Sequence, residues 1–167
     1  LLHLAQVEQR QGLEEQVAVP LRALVDGLLQ AQMARIEAAH LQIEQLVSPE
    51  LSACGEAFLL RQAVANLLDN ALDFTPPGGL IRFSAEAHDG QVELRLFNQG
   101  EPIPDYALAR LSERFYSLPR PNNGRKSTGL GLNFVEEVMQ LHGGELRIGN
   151  VSGGVEAWLR LPRFTER

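Results

Sequence analysis

Aromatic side chains are scarce in this chain: 6% of its 167 residues are Phe, Trp or Tyr. A core built from it must be mostly Leu, Val and Ala. The hydrophobic content of 44% still suffices for one domain with a real interior plus an appendage. Cysteine is limited to Cys54, which excludes an internal disulfide and fits a reducing compartment. An excess of positive charge is missing as well. The net charge of −6 and sequence pI of about 5.2 argue against a nucleic-acid partner, so any polyanion site must be local. No run approaches the ~18 apolar residues of a membrane span, and no signal peptide is visible. An initiator Met is absent too, and LLHLAQVEQ opens in mid-pattern, which reads as a piece of something longer.

What is present is a series of patterned segments. Residues 1–12 carry Leu1, Leu4 and Val7 on one side of a helix end, and the polar stretch after Gly12 predicts a linker over 13–19. Pro20 suits the first turn of a helix bearing Leu21, Leu24, Val25, Leu28, Leu29, Met33 and Ile36. Leu41, Ile43 and Val47 predict a short strand before Ser48-Pro49. A second helix is expected over about 56–74, stopped by Pro76-Pro77-Gly78-Gly79. LIRFSAEA and QVELRLFN alternate and are joined across Asp89-Gly90, a hairpin signal. A short helical piece follows around 107–114, and then SLPRPNNGRKST, residues 117–128, predicts a mobile loop. A third helix over 131–141 should end at Gly143-Gly144, and ELRIGNV and GVEAWLRLP close the chain as strands. This mixture predicts an α+β fold of two layers, a mixed and mostly antiparallel sheet covered on one face by helices, over residues 20–164.

Polar residues interrupt three of these segments. On a helix at ~100° per residue, Leu60, Val64, Leu67, Leu68, Ala71 and Leu72 share a broad face, and Gln62, Asn66, Asn70 and Asp73 form a stripe opposite. Such a stripe is either a solvated face or a wall turned to a ligand. Most such stripes are solvated surface; asparagine argues against that here, because an exposed helix gains more from Glu, Lys or Gln, and an amide oxygen can ligate Mg²⁺. In QVELRLFN, Asn98 continues the parity of Val92, Leu94 and Leu96, so its amide should point between sheet and helices. It either contacts a ligand or caps a turn with Gly100. The third segment is STGLGLNFVEE, where Gly129 and Gly131 open a helix and leave N–H groups that suit a phosphate, or else merely ease a tight helix entry. No strand precedes it, which excludes a Rossmann dinucleotide site and with it a nicotinamide oxidoreductase. The loop before it carries Arg120, Arg125 and Lys126, either solvated or folded over phosphates.

The order of these stretches is Asn66-x-x-x-Asn70, Asn98-x-Gly100-x-x-Ile103-Pro104, Glu113-Arg114-Phe115-Tyr116, a loop, and Thr128-Gly129-Leu130-Gly131-Leu132. It resembles the catalytic ATP-binding domain of sensor histidine kinases, within the GHKL ATPases of Bergerat fold, over about residues 20–162. The stretches are similar to that family's N, G1, F and G2 boxes, and residues 1–12 resemble the end of its dimerisation helix pair. NLLDNALDFTP and ERFYSLPR resemble the CreC-type kinases more narrowly. The resemblance implies ATP and Mg²⁺ as ligands, with Asn70 on the metal and Asn66 near the phosphates. It implies that Asn98 meets the adenine amine, that Gly100 admits the base, and that Ile103 belongs to the same box. Phe115 and Tyr116 would anchor a lid. Gly129 and Gly131 would offer N–H groups to the phosphates, with Ser127, Thr128, Leu130 and Leu132 around them and Arg120, Arg125 or Lys126 as a clamp. The implied reaction is transfer of the ATP γ-phosphoryl to a histidine on a dimerisation domain absent from this chain, for relay to a response regulator. The implied setting is the cytoplasmic part of a homodimeric sensor in the inner membrane.

Three positions, in two of the boxes, depart from that pattern. Asn98 and Pro102 stand where the G1 box usually has Asp and a second Gly, and Asp73 stands where the N box usually has Lys or Arg. Helical geometry puts the Asp73 carboxylate towards the phosphates, unless it swings outward past Phe74. These departures favour a rival reading, a non-catalytic nucleotide-binding scaffold. Another ATPase or a serine-directed kinase of the same fold is a second rival, and the helical stub at 1–10 speaks against it. None of His3, His40, His88 and His142 has the acidic residue and proline that follow a phosphoacceptor in this family. Trp158 shares the polar face of its strand with Glu156 and Arg160 and reads as a half-exposed packing residue.

Overall fold

The computed structural model describes residues 12–111 and 131–166. The chain enters on β1 (Val17–Pro20), where a linker was expected, and β1 pairs antiparallel with β3 (Ser52–Gly55). β3 is a strand that hydrophobic alternation did not announce, because its inward residues, Ala53 and Gly55, are too small to register as a pattern. Between them lie α1 (Leu21–Ala31), α2 (Met33–Ala38) and β2 (Gln42–Leu46). The single helix expected over this stretch breaks at Gln32, whose N–H bonds Leu29 O at 3.1 Å. The break keeps Ile36 buried and leaves Met33 exposed.

The long helix α3 (Ala57–Phe74) follows, then the hairpin of β4 (Leu80–His88) and β5 (Gln91–Gln99). Asp89 and Gly90 both have positive φ, 48° and 78°, as the twist of a two-residue hairpin turn requires. A single helical turn, α4 (Asp105–Leu108), opens before the piece expected around 107–114, whose last three residues lie outside the described residues. After it come α5 (Gly131–Leu141), β6 (Glu145–Val151) and β7 (Gly154–Pro162), as predicted.

The main sheet has the order β2-β4-β5-β7-β6, with β2 parallel to β4 and every other neighbour antiparallel. Register stacks its inner face in rows. Phe83, Leu96 and Ala157 form one, and Ala87, Val92 and Leu161 another. Leu60, Val64, Leu68 and Leu72 of α3 and Val135, Val138 and Met139 of α5 cover those rows in one continuous core. Burying each Leu or Val contributes about 2 kcal/mol. Charged residues line the outer face, where the Arg82 guanidinium lies 5.1 Å from the Phe97 ring centre. Trp158 is half-buried on that same face, as expected, with its ring beside Gly149. The architecture is the two-layer α+β sandwich predicted.

His142 ties the ends of two helices together. It is buried, its Nδ1 donates to Val138 O at 2.7 Å, and its Nε2 accepts the Glu56 N–H at 3.1 Å. The C-terminus of α5 is thereby fixed to the N-terminus of α3.

Candidate functional site

α3 supplies one wall. Its buried positions recur every three or four residues, and Gln62, Asn66, Asn70 and Asp73 lie half-buried between them. At its C-terminal end the Thr75 hydroxyl donates to Ala71 O at 2.6 Å, and Pro76 and Pro77 end the helix.

β5 supplies the second element. Asn98 is the last inward residue of that strand, 8% exposed, opposite Ile81 on one side and Val155 on the other. Its Nδ2 donates weakly to Gln99 O at 3.4 Å. Gly100 brings the strand end against the helix end. A β-carbon there would lie 3.0 Å from the Phe74 carbonyl oxygen and 3.6 Å from Asn98 Nδ2. That close approach gives Gly100 a structural requirement beyond the base contact expected of it. Ile103 is held by a residue that sequence reading did not single out. The Asn150 amide accepts the Ile103 N–H and donates to the Ile103 carbonyl, both at 2.8 Å, as a paired strand would. Gly154 was missed as well. A β-carbon on it would come within 2.1 Å of the Asn98 carbonyl oxygen, so only glycine lets β5 and β7 hold Asn98 in place.

α5 is the third element. It opens at Gly131, packs against α3, and tucks Leu132 against the core. In its first turn the Asn133 Nδ2 is buried with no hydrogen-bond partner among the described residues. The remaining expected site residues lie outside the described residues: Phe115, Tyr116, Arg120, Arg125, Lys126, Ser127, Thr128, Gly129 and Leu130.

Asp73 is engaged by a cation from a neighbouring helix. Its Oδ1 pairs with Arg35 Nη2 of α2, while Arg35 Nη1 bonds Asp69 Oδ1 at 2.7 Å. One guanidinium thus bridges two carboxylates a helical turn apart, which removes their mutual repulsion. Nothing in a single sequence links position 35 to position 73. The Glu86 carboxyl is held below its usual range by a hydrogen bond from His88 and by the charge of Arg95. It lies at the hairpin turn, the opposite end of β4 and β5 from Asn98.

Among the described residues no group of three His, Cys, Asp or Glu could hold a metal by itself. A cation here would lean on the amide oxygens of α3 and on oxygens brought by its ligand, which suits Mg²⁺ carried with phosphates.

Comparison with known proteins agrees with this geometry. The family described as Histidine kinase-, DNA gyrase B-, and HSP90-like ATPase matches residues 55–165. The sensor protein CreC of Escherichia coli K12 is 48% identical over 98% of this chain, which spans 34% of that protein. The chain thus covers about a third of the length of such curated relatives. Among solved structures, the mycobacterial sensor histidine kinase MprB superposes with a TM-score of 0.76 at 29% identity. That alignment covers 90% of this chain and 99% of the MprB chain. Full-length ShkA in complex with AMPPNP gives a TM-score of 0.81 at 27% identity, covering 99% of this chain and 35% of the ShkA chain. Its fold and its matched residues place the chain in the family of histidine kinase-, DNA gyrase B- and HSP90-like ATPases.

Proposed function

We propose that the chain is the ATP-binding catalytic domain of a sensor histidine kinase, passing the γ-phosphoryl of ATP to a histidine on a dimerisation domain. One observation carries this reading. The neutral amides of Asn66 and Asn70 share a half-buried stripe of α3, whose C-terminal end meets the buried Asn98 amide at Gly100. Two asparagines one helical turn apart on the half-buried stripe of this helix suit a polar ligand beside that wall. The relative that binds AMPPNP supports a nucleotide as that ligand.

In this reading the chain's own groups position and neutralise rather than form covalent bonds, as suits phosphoryl transfer. Asn98 holds the base edge, with Gly100 and the Ile103 loop beside it, and the Asn150 clasp keeps that loop in register. The Asn66 and Asn70 amides face the phosphates. Mg²⁺, with Asn70 as its protein ligand, would neutralise charge on the β- and γ-phosphates. N–H groups at the start of α5, at Gly131 and Leu132, would face the same anion. Phe115, Tyr116, Arg120, Arg125, Lys126, Ser127, Thr128, Gly129 and Leu130 would complete the lid and phosphate seat.

The partners proposed are ATP and ADP, the protein's own dimerisation and phosphoacceptor domain, of which residues 1–12 would be the last turns, and a response regulator. The setting proposed is the cytoplasmic side of a membrane-bound homodimer. Among the described residues no helix is long and apolar enough to cross a membrane. His142 cannot be the acceptor, because both ring nitrogens are engaged in the interior.

The test is transfer itself. The chain is mixed with a dimerisation helix pair bearing the acceptor histidine and given Mg·ATP labelled in the γ-phosphate. Acid-labile, alkali-stable label on the helix pair is expected. Nucleotide binding without any label would favour a non-catalytic scaffold, the reading that Asn98, Pro102 and Asp73 support.

A further inference from the structure

We propose that Arg35 is a positioning residue for the nucleotide site, holding the Asp73 carboxylate away from the phosphates. The inference rests on the nucleotide reading given above.

Asn66, Asn70 and Asp73 follow one another at spacings of four and three, so they occupy one stripe of α3. An ionised carboxylate on that stripe would repel a polyphosphate. Asp73 is 17% exposed in its side chain, so solvent screens it poorly. Arg35 takes up the charge from one flank. Asp69 lies about 60° around the helix from Asn66, on the side away from Asn70. The guanidinium that joins Asp69 to Asp73 therefore draws the carboxylate off the centre of the stripe. Arg35 is itself held in place by the fold. α2 ends in a turn whose Ala39 carbonyl accepts the Gly78 N–H at 2.9 Å, and Gln42 N–H reaches Gly79 O at 2.8 Å. The turn after α3 is thus docked on the turn after α2, which sets Arg35 opposite the last two turns of α3. A guanidinium there also complements the negative end of that helix.

The site then presents neutral amides to the phosphates while keeping an acidic residue in its wall. Arg35 touches no reacting atom and acts through Asp73.

Calorimetry with ADP in the absence of metal, at low and moderate salt, tests this on four proteins: wild type, Arg35→Gln, Arg35→Lys, and Arg35→Gln combined with Asp73→Asn. Releasing the carboxylate should weaken metal-free ADP binding in Arg35→Gln about tenfold, equal to about 1.4 kcal/mol. The loss should shrink as salt rises. Adding Asp73→Asn should restore affinity, and Arg35→Lys should keep most of it. A purely structural role for Arg35 would not be rescued by removing a negative charge. Arg35→Gln binding as tightly as wild type overturns the proposal, as does a loss that Asp73→Asn fails to repair or that Arg35→Lys shares in full. Wild type that binds no nucleotide, with or without Mg²⁺, overturns the functional reading and this proposal with it.

Discussion

At position 98 the difference between an amide and a carboxylate is one of hydrogen-bond sign. A carboxylate only accepts, so it would welcome an adenine amine and reject a guanine carbonyl. Asn98 can offer either end, and its donor is engaged only weakly, at 3.4 Å, by Gln99 O. The wild type should therefore discriminate poorly between ATP and GTP, and Asn98→Asp should raise the preference for ATP about tenfold. Competition binding with both nucleotides checks this, and an equal preference in the two proteins would place selectivity elsewhere. Asn66, Asn70 and Asn98 were legible in the sequence because each breaks an apolar pattern. Arg35, Asn150 and Gly154 were not. Their importance comes from residues 38, 47 and 56 positions away, at Asp73, Ile103 and Asn98, and no local pattern encodes such distances.

Elements with a strong period were legible, and those without one were hidden. α3, α5 and the β4–β5 hairpin fall where periodicity, prolines and Asp-Gly put them. β3 escaped because Ala53 and Gly55 carry too little side chain, and β1 because it spans only four residues ending in Pro20. The break at Gln32 is a tertiary effect, since helical spacing continues across it. The clasp at His142 joins the end of α5 to the start of α3. His142→Ala would open a cavity and take the acceptor from the Glu56 N–H, costing about 2–4 kcal/mol. Denaturant unfolding measures this, and a midpoint within error of wild type would show that the clasp is idle. A β-carbon on Gly55 would lie 2.2 Å from the His142 ring, so that ring leaves no room for a side chain at position 55.

At the scale of the whole molecule, the chain carries a net charge of −6, which repels a polyanionic nucleotide at long range. Attraction must come from short-range contacts and a cation, because near 0.15 M salt fields fade over ~8 Å. The two-layer sandwich meets that demand by closing the end of α3 onto the end of β5, where Gly100 lets them touch. The fold class was readable from the mixture of helices and antiparallel strands, whereas this meeting of helix and strand ends required the register. The central claim is that the α3 stripe is a metal-dependent nucleotide wall, and calorimetry with ADP on wild type and Asn70→Ala, with Mg²⁺ and with chelator, tests it most directly. Truncation on the polar face leaves no core cavity, so Asn70→Ala should keep the fold and a cooperative denaturant transition. The account predicts one-to-one binding strengthened by Mg²⁺ in the wild type, with that strengthening lost in Asn70→Ala. Wild-type affinity indifferent to Mg²⁺, or a metal effect that survives in Asn70→Ala, would contradict it.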